Sequence, residues 1–230
     1  MKDILGEAVH NYHFNNTPGK LWIHNTYGPK EPMPVEAYFR EEDDMPDLEW
    51  VALNECRGQV LDVGAGAGSH ALILQERGFE VMALDISANS VEVMKLRGVK
   101  QAVQADIFTY SGHQFDTILL LMNGIGLAGT LSGLTQLLQH LKTLLQPGGQ
   151  LLFDSSDVAY LYEGKVPAGE PYYGEISYQY EYKNQKTEWF KWLYIDEKRL
   201  TAIVEADGWD MDVLYEDEHG QYLTRLTLKK

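Results

Sequence analysis

Three glycines spaced two apart, Gly64, Gly66 and Gly68, follow the apolar run QVLDV in the stretch LDVGAGAGSH. Glycine-rich turns between a strand and a helix let the backbone approach a ligand closely, and several nucleotide cofactors exploit them. A dinucleotide fingerprint counted from Gly64 meets Ser69 at its sixth position; counted from Gly66 it meets Ala71, which fits formally. Asp62, two residues before Gly64, argues against a pyrophosphate. Two like charges about 4 Å apart cost on the order of 4 kcal/mol at an effective dielectric near 20. The same carboxylate attracts a ligand that carries positive charge. Asp85, ending VMALD, stands where a carboxylate accepts from both ribose hydroxyls, and Asp106, in QADIF, suits an adenine amino group. These loops hold three acids and no Lys or Arg. They describe a pocket for an adenosine that carries cations and no phosphate, as S-adenosylmethionine does with its ammonium and sulfonium.

Such residues need a sheet edge to hold them. From Gly58 to Asp154, apolar runs alternate with amphipathic segments, the pattern of a parallel sheet flanked by helices. QVLDV, FEVMALD, KQAVQAD, FDTILLLMN and QLLFD read as five strands. HALILQERG reads as a helix opened by Ser69 as N-cap and closed by Gly78, and a second helix runs from Ser87 to Gly98. LSGLTQLLQHLKTLLQPGG is a helix with one leucine face, stopped by Pro-Gly-Gly. Beyond Asp154, EISYQYEYKNQKTEWFKWLYI reads as an aromatic hairpin turning at KNQK, Asp196 caps a last helix, and MDVLYEDEHGQYLTRLTL closes as a hairpin. The first fifty residues show no sustained period before VEAYF and read as an arm leading into one or two helices.

Together LDVGAGAGS, ALDIS, QADIF, FDTILLLMNGIG and LLQPGGQLLFD resemble, in order and spacing, the successive motifs of class I S-adenosylmethionine-dependent methyltransferases. The resemblance implies a Rossmann-like three-layer α/β/α sandwich. Its seven-stranded sheet would be mostly parallel with the last strand antiparallel, joined by an N-terminal arm or helix and an inserted β-hairpin. It implies two parts: residues 1–57, an arm and helix covering the active site, and 58–230, the cofactor-binding domain with its hairpin at about 172–195. It also implies roles. Asp62 and the loop of Gly64, Ala65, Gly66 and Gly68 would lie against the methionine part; Asp85, with Ile86, would hold the ribose; Asp106 and Ile107 would hold the adenine. Asn123 and Gly124 would line the sulfonium region, Asn123 as a positioning residue. A nicotinamide-dependent oxidoreductase is the weaker enzyme reading, since Asp62 opposes it and no catalytic Tyr-x-x-x-Lys or Cys/His arrangement is seen. A non-catalytic module that binds the cofactor or a protein is the alternative from another class.

Methyl transfer needs donor and acceptor in line and needs no general base. The acceptor side is therefore expected outside the core motifs. MNGIGLAG lacks the Asn-Pro-Pro-aromatic sequence of methyltransferases acting on DNA bases or protein glutamine. A small-molecule acceptor at nitrogen, oxygen or carbon is expected. Arg40 is the cation expected near the methionine carboxylate, with pairing to Glu41, Glu42 or Asp43 as its other reading. His24 and Tyr27, in the arm, are the acceptor-side candidates, with His10 and His13 behind them. A formal net charge of −15 argues against a nucleic-acid partner, and no apolar run is long enough to span a membrane. The single cysteine, Cys56, makes no internal disulfide, and no metal site is expected. A cytoplasmic protein is expected, with the aromatic hairpin offering a homodimer contact.

Overall fold

The computed structural model describes residues 2–16, 19–163 and 165–229. Among the described residues, twelve strands and six α-helices follow in chain order. α1 (Ile4–His13), β1 (Leu21–Asn25), β2 (Glu31–Met33) and α2 (Asp47–Glu55) precede the glycine motif. β3 (Gln59–Val63), α3 (Ser69–Glu76), β4 (Glu80–Asp85), α4 (Ala88–Arg97) and β5 (Gln101–Gln104) carry it. β6 (Phe115–Leu120), α5 (Leu131–Leu144) and β7 (Leu145–Ser156) come next. β8 (Glu175–Tyr182), β9 (Gln185–Lys186), β10 (Phe190–Leu193), α6 (Glu197–Ala206), β11 (Trp209–Glu216) and β12 (Gln221–Leu228) end the chain.

Seven strands form one sheet in the order β11-β12-β7-β6-β3-β4-β5. The β4–β5 and β6–β7 pairs are parallel, and β12 lies antiparallel between β7 and β11. This is the Rossmann-like sheet with its last strand reversed. A second, five-stranded sheet runs β10-β8-β1-β2, with β9 on β8. The segments expected as a separate arm and hairpin thus share one sheet: Trp22 pairs with Glu181 and Asn25 with Tyr178. Sequence periodicity is local and carries no signal for a partner more than 150 residues away.

The chain divides into two compact units. One comprises Met1–Met45, Asp62–Tyr110 and Ser177–Phe190; the other Pro46–Leu61, Ser111–Ile176 and Lys191–Lys230. In the first, Ile4, Ala8, Leu21 and Tyr182 make one buried cluster and Val9, Ala67 and Val93 another. α1 is a regular helix where the sequence suggested only an arm. Asp3 caps it by accepting from Gly6 N at 3.0 Å, and its apolar residues reach their partners across the fold. In the second unit α5 buries Leu134, Leu137, Leu138, Leu141 and Leu144, each contributing about 1.5–3 kcal/mol by leaving water.

Helix starts follow the capping chemistry with one correction. Ser87, Thr130 and Asp196 accept from Ser90 N, Gly133 N and Arg199 N, as N-caps do. Ser69 does not cap α3. Gly68 holds that position with φ +82°, and Ser69 Oγ instead donates to Tyr38 O at 2.8 Å. Ser69 is the first residue of the helix proper, one position past the N-cap, and its hydroxyl is engaged outside the helix. Among the described residues no helix is long and apolar enough to cross a membrane, and no cluster of His, Cys, Asp or Glu has metal-holding geometry.

Candidate functional site

The glycine motif leaves β3 through a loop that folds against the end of β4. Gly64 N and Ala65 N both donate to Leu84 O, at 2.8 and 3.1 Å, and Gly66 N donates to Asp85 Oδ2 at 2.9 Å. Asp85 Oδ1 accepts from Ser87 N at 2.8 Å. Asp85, expected to hold the ribose, therefore also fixes the glycine loop, and its carboxylate retains acceptor capacity beyond its backbone donors. Gly64, Gly66 and Gly68 all have positive φ, a region costing other L-residues about 1–2 kcal/mol. At Gly66 a Cβ would also stand 3.0 Å from the Tyr38 ring.

Asp62 is 2% exposed, and its Oδ2 has no hydrogen-bond partner. Burial raises its carboxyl to about 6, against the opposing pull of His70; Asp85 adds to the rise, and the Ala71 N–H that it accepts opposes it. An orphaned buried carboxylate oxygen costs several kcal/mol unless a donor meets it, and a cationic donor meets it best. Burial also raises the Asp85 carboxyl, countered by the Ser87 and Gly66 N–H groups. Asp106 is exposed just beyond β5, where its Oδ1 accepts from Phe108 N at 3.0 Å; Ile107 beside it is buried and Ile86 is 68% exposed. Two acceptors, a bare backbone loop and apolar neighbours fit a cationic adenosine such as S-adenosylmethionine. They do not fit a pyrophosphate.

Several residues that motif reading passed over hold this loop. Arg97, ending α4, donates to Ala67 O at 2.7 Å and to Ser69 Oγ at 3.2 Å, and its guanidinium lies 5.0 Å from the Phe39 ring centroid. Asp3 Oδ2 accepts from Ser87 Oγ at 2.6 Å and Asn89 Nδ2 at 3.0 Å, docking α1 beside the Asp85 turn. Both contacts join residues distant in sequence, and neither residue type has a spacing signature.

Arg40 is half-buried directly after the 3-10 turn Val35–Phe39. Of its acidic neighbours, Glu42 pairs with Arg77 and Glu41 lies near Arg97. His24 Nε2 lies 2.6 Å from Glu181 Oε2, in a cluster where Lys30 and Lys186 also reach Glu181 at 3.2 and 3.3 Å. His24, then Lys30, holds the Glu181 carboxyl well below the usual carboxylate range. Tyr27 packs edge-on to Tyr178, with their hydroxyls 3.4 Å apart. Asn25 shapes the turn before it: its Oδ1 accepts from Tyr27 N and Gly28 N at 3.1 and 2.7 Å. His10 lies 3.7 Å from Glu92, and the His13 ring stacks on Phe39.

In the other unit, Met122 and Asn123 have consecutive left-handed φ values of +59° and +55°. Asp154 holds this turn, each of its oxygens lying 2.9 Å from Asn123 N, and Asn123 Nδ2 donates to Leu193 O at 3.1 Å. Asn123 Oδ1 is buried without a partner. Burial raises the Asp154 carboxyl to about 6. Gly124 is buried beside Asn123.

Comparison with known proteins identifies the family. The profile of the methyltransferase domain family matches residues 39–230. A crystal structure of an S-adenosylmethionine-dependent methyltransferase from Bacteroides fragilis, in complex with S-adenosylhomocysteine, is 41% identical with a TM-score of 0.91, covering 100% of this chain and 96% of that one. The sugar N-methyltransferase KedS8 from Streptoalloteichus has a TM-score of 0.59 at 18% identity, covering 90% of this chain and 97% of that one, a likeness of fold alone. YqeM of Bacillus subtilis (strain 168), named as a provisional methyltransferase, is 26% identical over 104 residues, 43% of this chain and 42% of that protein. The chain thus spans about two fifths of the length of the curated relatives it matches. A family profile over most of its length and a near relative sharing its whole fold place the chain among the S-adenosylmethionine-dependent methyltransferases.

Proposed function

We propose that this chain uses S-adenosylmethionine to methylate a small-molecule acceptor at nitrogen, oxygen or carbon. The observation that carries this reading is Asp62: a carboxylate 2% exposed, with one oxygen unpartnered, at the foot of a positive-φ glycine loop. The cofactor supplies an activated methyl group, so the protein's work is binding and alignment. Asp62 attracts the ammonium of the methionine part, and the bare edge of the loop, Gly64 to Gly68 with Ala65, admits its chain. Asp85 accepts from the ribose diol with the lone pairs its backbone donors leave, and Ile86 borders the sugar. Asp106 accepts from the adenine amino group beside the apolar Ile107, and Arg40 pairs with the methionine carboxylate. Asn123 and Gly124 are assigned to the sulfonium region by resemblance to the family, and His24 and Tyr27 to the acceptor side. Residues 1–57 cover the acceptor, on this reading. The −15 formal charge supports an acceptor other than nucleic acid.

Calorimetric titration with S-adenosylmethionine, S-adenosylhomocysteine and NADH tests the reading. Micromolar binding of the first two and no heat from NADH is expected. Binding of NADH alone, or silence from all three, overturns it. Asp85→Ala should weaken S-adenosylhomocysteine binding more than tenfold, since it removes a half-buried acceptor and the anchor of Gly66 N.

A further inference from the structure

The glycine loop does not stand alone. Tyr38 O accepts from Ser69 Oγ at 2.8 Å, and the Tyr38 ring fills the space that a Cβ on Gly66 would need. Phe39, next in the chain, lies under the Arg97 guanidinium and also meets Tyr12 of α1, ring centroids 4.7 Å apart. Arg97 reaches the loop itself, at Ala67 O and Ser69 Oγ, and Glu41 on the same N-terminal segment lies near it. Ser69 Oγ is therefore shared: it donates to Tyr38 O and accepts from Arg97. Behind these contacts Val9, Ala67 and Val93 form a buried seat on which Val35, Tyr38 and Phe39 pack.

We propose that Arg97 is a positioning residue for the cofactor, tying the glycine loop to the Tyr38–Glu41 segment so that both take their binding geometry together. The guanidinium suits the task because its Nη1 donates to both Ala67 O and Ser69 Oγ while its planar face rests on an aromatic ring. An ammonium at the same place has one compact donor centre and no face. The loop's carbonyl at Ala67 would otherwise be served by water, and a loop built on three left-handed glycines has little intrinsic preference for one conformation. The inference rests on the assignment of this loop to the methionine part of S-adenosylmethionine. It predicts that Arg97 matters most for ligands that have that part.

The test compares S-adenosylhomocysteine with 5′-methylthioadenosine, which keeps the adenosine and lacks the amino-acid tail, by calorimetry on the full chain. Arg97→Ala should weaken S-adenosylhomocysteine at least tenfold and change methylthioadenosine less than threefold. Arg97→Lys should recover part of the loss. Ser69→Ala, a smaller change that removes the shared hydroxyl, should shift the same ratio in the same direction and guards against a misfolded Arg97 variant. An equal loss of both ligands, or a lowered melting temperature with both affinities unchanged, would make Arg97 merely structural and overturn the proposal. Failure of the wild-type chain to bind either ligand overturns the functional reading itself, a result distinct from wild-type binding that the Arg97 variants leave untouched.

Discussion

Asp62 is held against its own stability. Folding raises its carboxyl from 3.8 to about 6, so between those values the folded chain binds more protons than the unfolded one. Stability therefore falls as pH rises through this window, and the full cost, at most about 3 kcal/mol for a shift of roughly two units, is present above pH 6. Asp154 follows the same rule for the same reason, burial. Asp62→Asn should thus stabilise the chain by about 1–2 kcal/mol at pH 7.5, discounted for the weakened bond from the Ala71 N–H, and should flatten the fall in stability between pH 4 and 6. The same variant should lose at least tenfold in S-adenosylhomocysteine affinity, because an amide cannot neutralise an ammonium. Urea melts across pH, paired with calorimetry, read both effects; a variant that is destabilised and binds normally would remove Asp62 from the site. A residue that costs stability and supports binding is the pattern expected of a functional group.

At the scale of elements, the approach of α3 to the end of α4 is set by one atom. Gly68 precedes α3 with φ +82°, and a Cβ there would stand 2.8 Å from Val99 Cγ2 and 3.0 Å from Met94 Cγ. Gly78, beyond the other end of α3, has φ +89° and nothing within 4 Å of a built Cβ. Gly68→Ala should therefore cost about 3 kcal/mol, strain and overpacking together, and Gly78→Ala about 1 kcal/mol from strain alone. Equal costs in denaturant titrations would mean that the helix contact yields freely. The turn joining β8 to β9 shows the same chemistry in a hairpin: Lys183 and Asn184 both have positive φ between the paired Tyr182 and Gln185. Asn accepts that conformation readily and Lys does not, so the KNQK signal located the turn without explaining its first residue.

For the molecule as a whole, the N-terminal segment is part of the fold rather than an appendage. If the arm only built the acceptor pocket, as the sequence suggests, removing the first thirty or so residues would spare the cofactor site and abolish turnover. In the structure β1 lies between β2 and β8, Val9 shares a core with Ala67 of the glycine loop, and Asp3 anchors the turn after Asp85. Deleting residues 1–33 should lower the melting temperature and remove most S-adenosylhomocysteine affinity. Wild-type affinity in the truncated chain would restore the reading of a separable arm.

The sequence by itself determined what depends on near neighbours. The alternating apolar runs gave the parallel strands, Ser87 and Asp196 gave helix starts, and the glycine spacing with Asp62, Asp85 and Asp106 selected a cationic adenosine over a pyrophosphate. Each of those signals is written within a few residues of its effect. Tertiary structure alone decided that the arm and the hairpin are one sheet, that Ser69 turns to Tyr38 instead of capping α3, and that Arg97 reaches Ala67. It also decided that Asp154 would fix Asn123 in a left-handed turn. These contacts join residues 28 to more than 150 positions apart, where an arginine or a serine looks the same whether it faces water or a loop. Only the packed chain supplies the partner, and burial then makes that partner's hydrogen bond decisive.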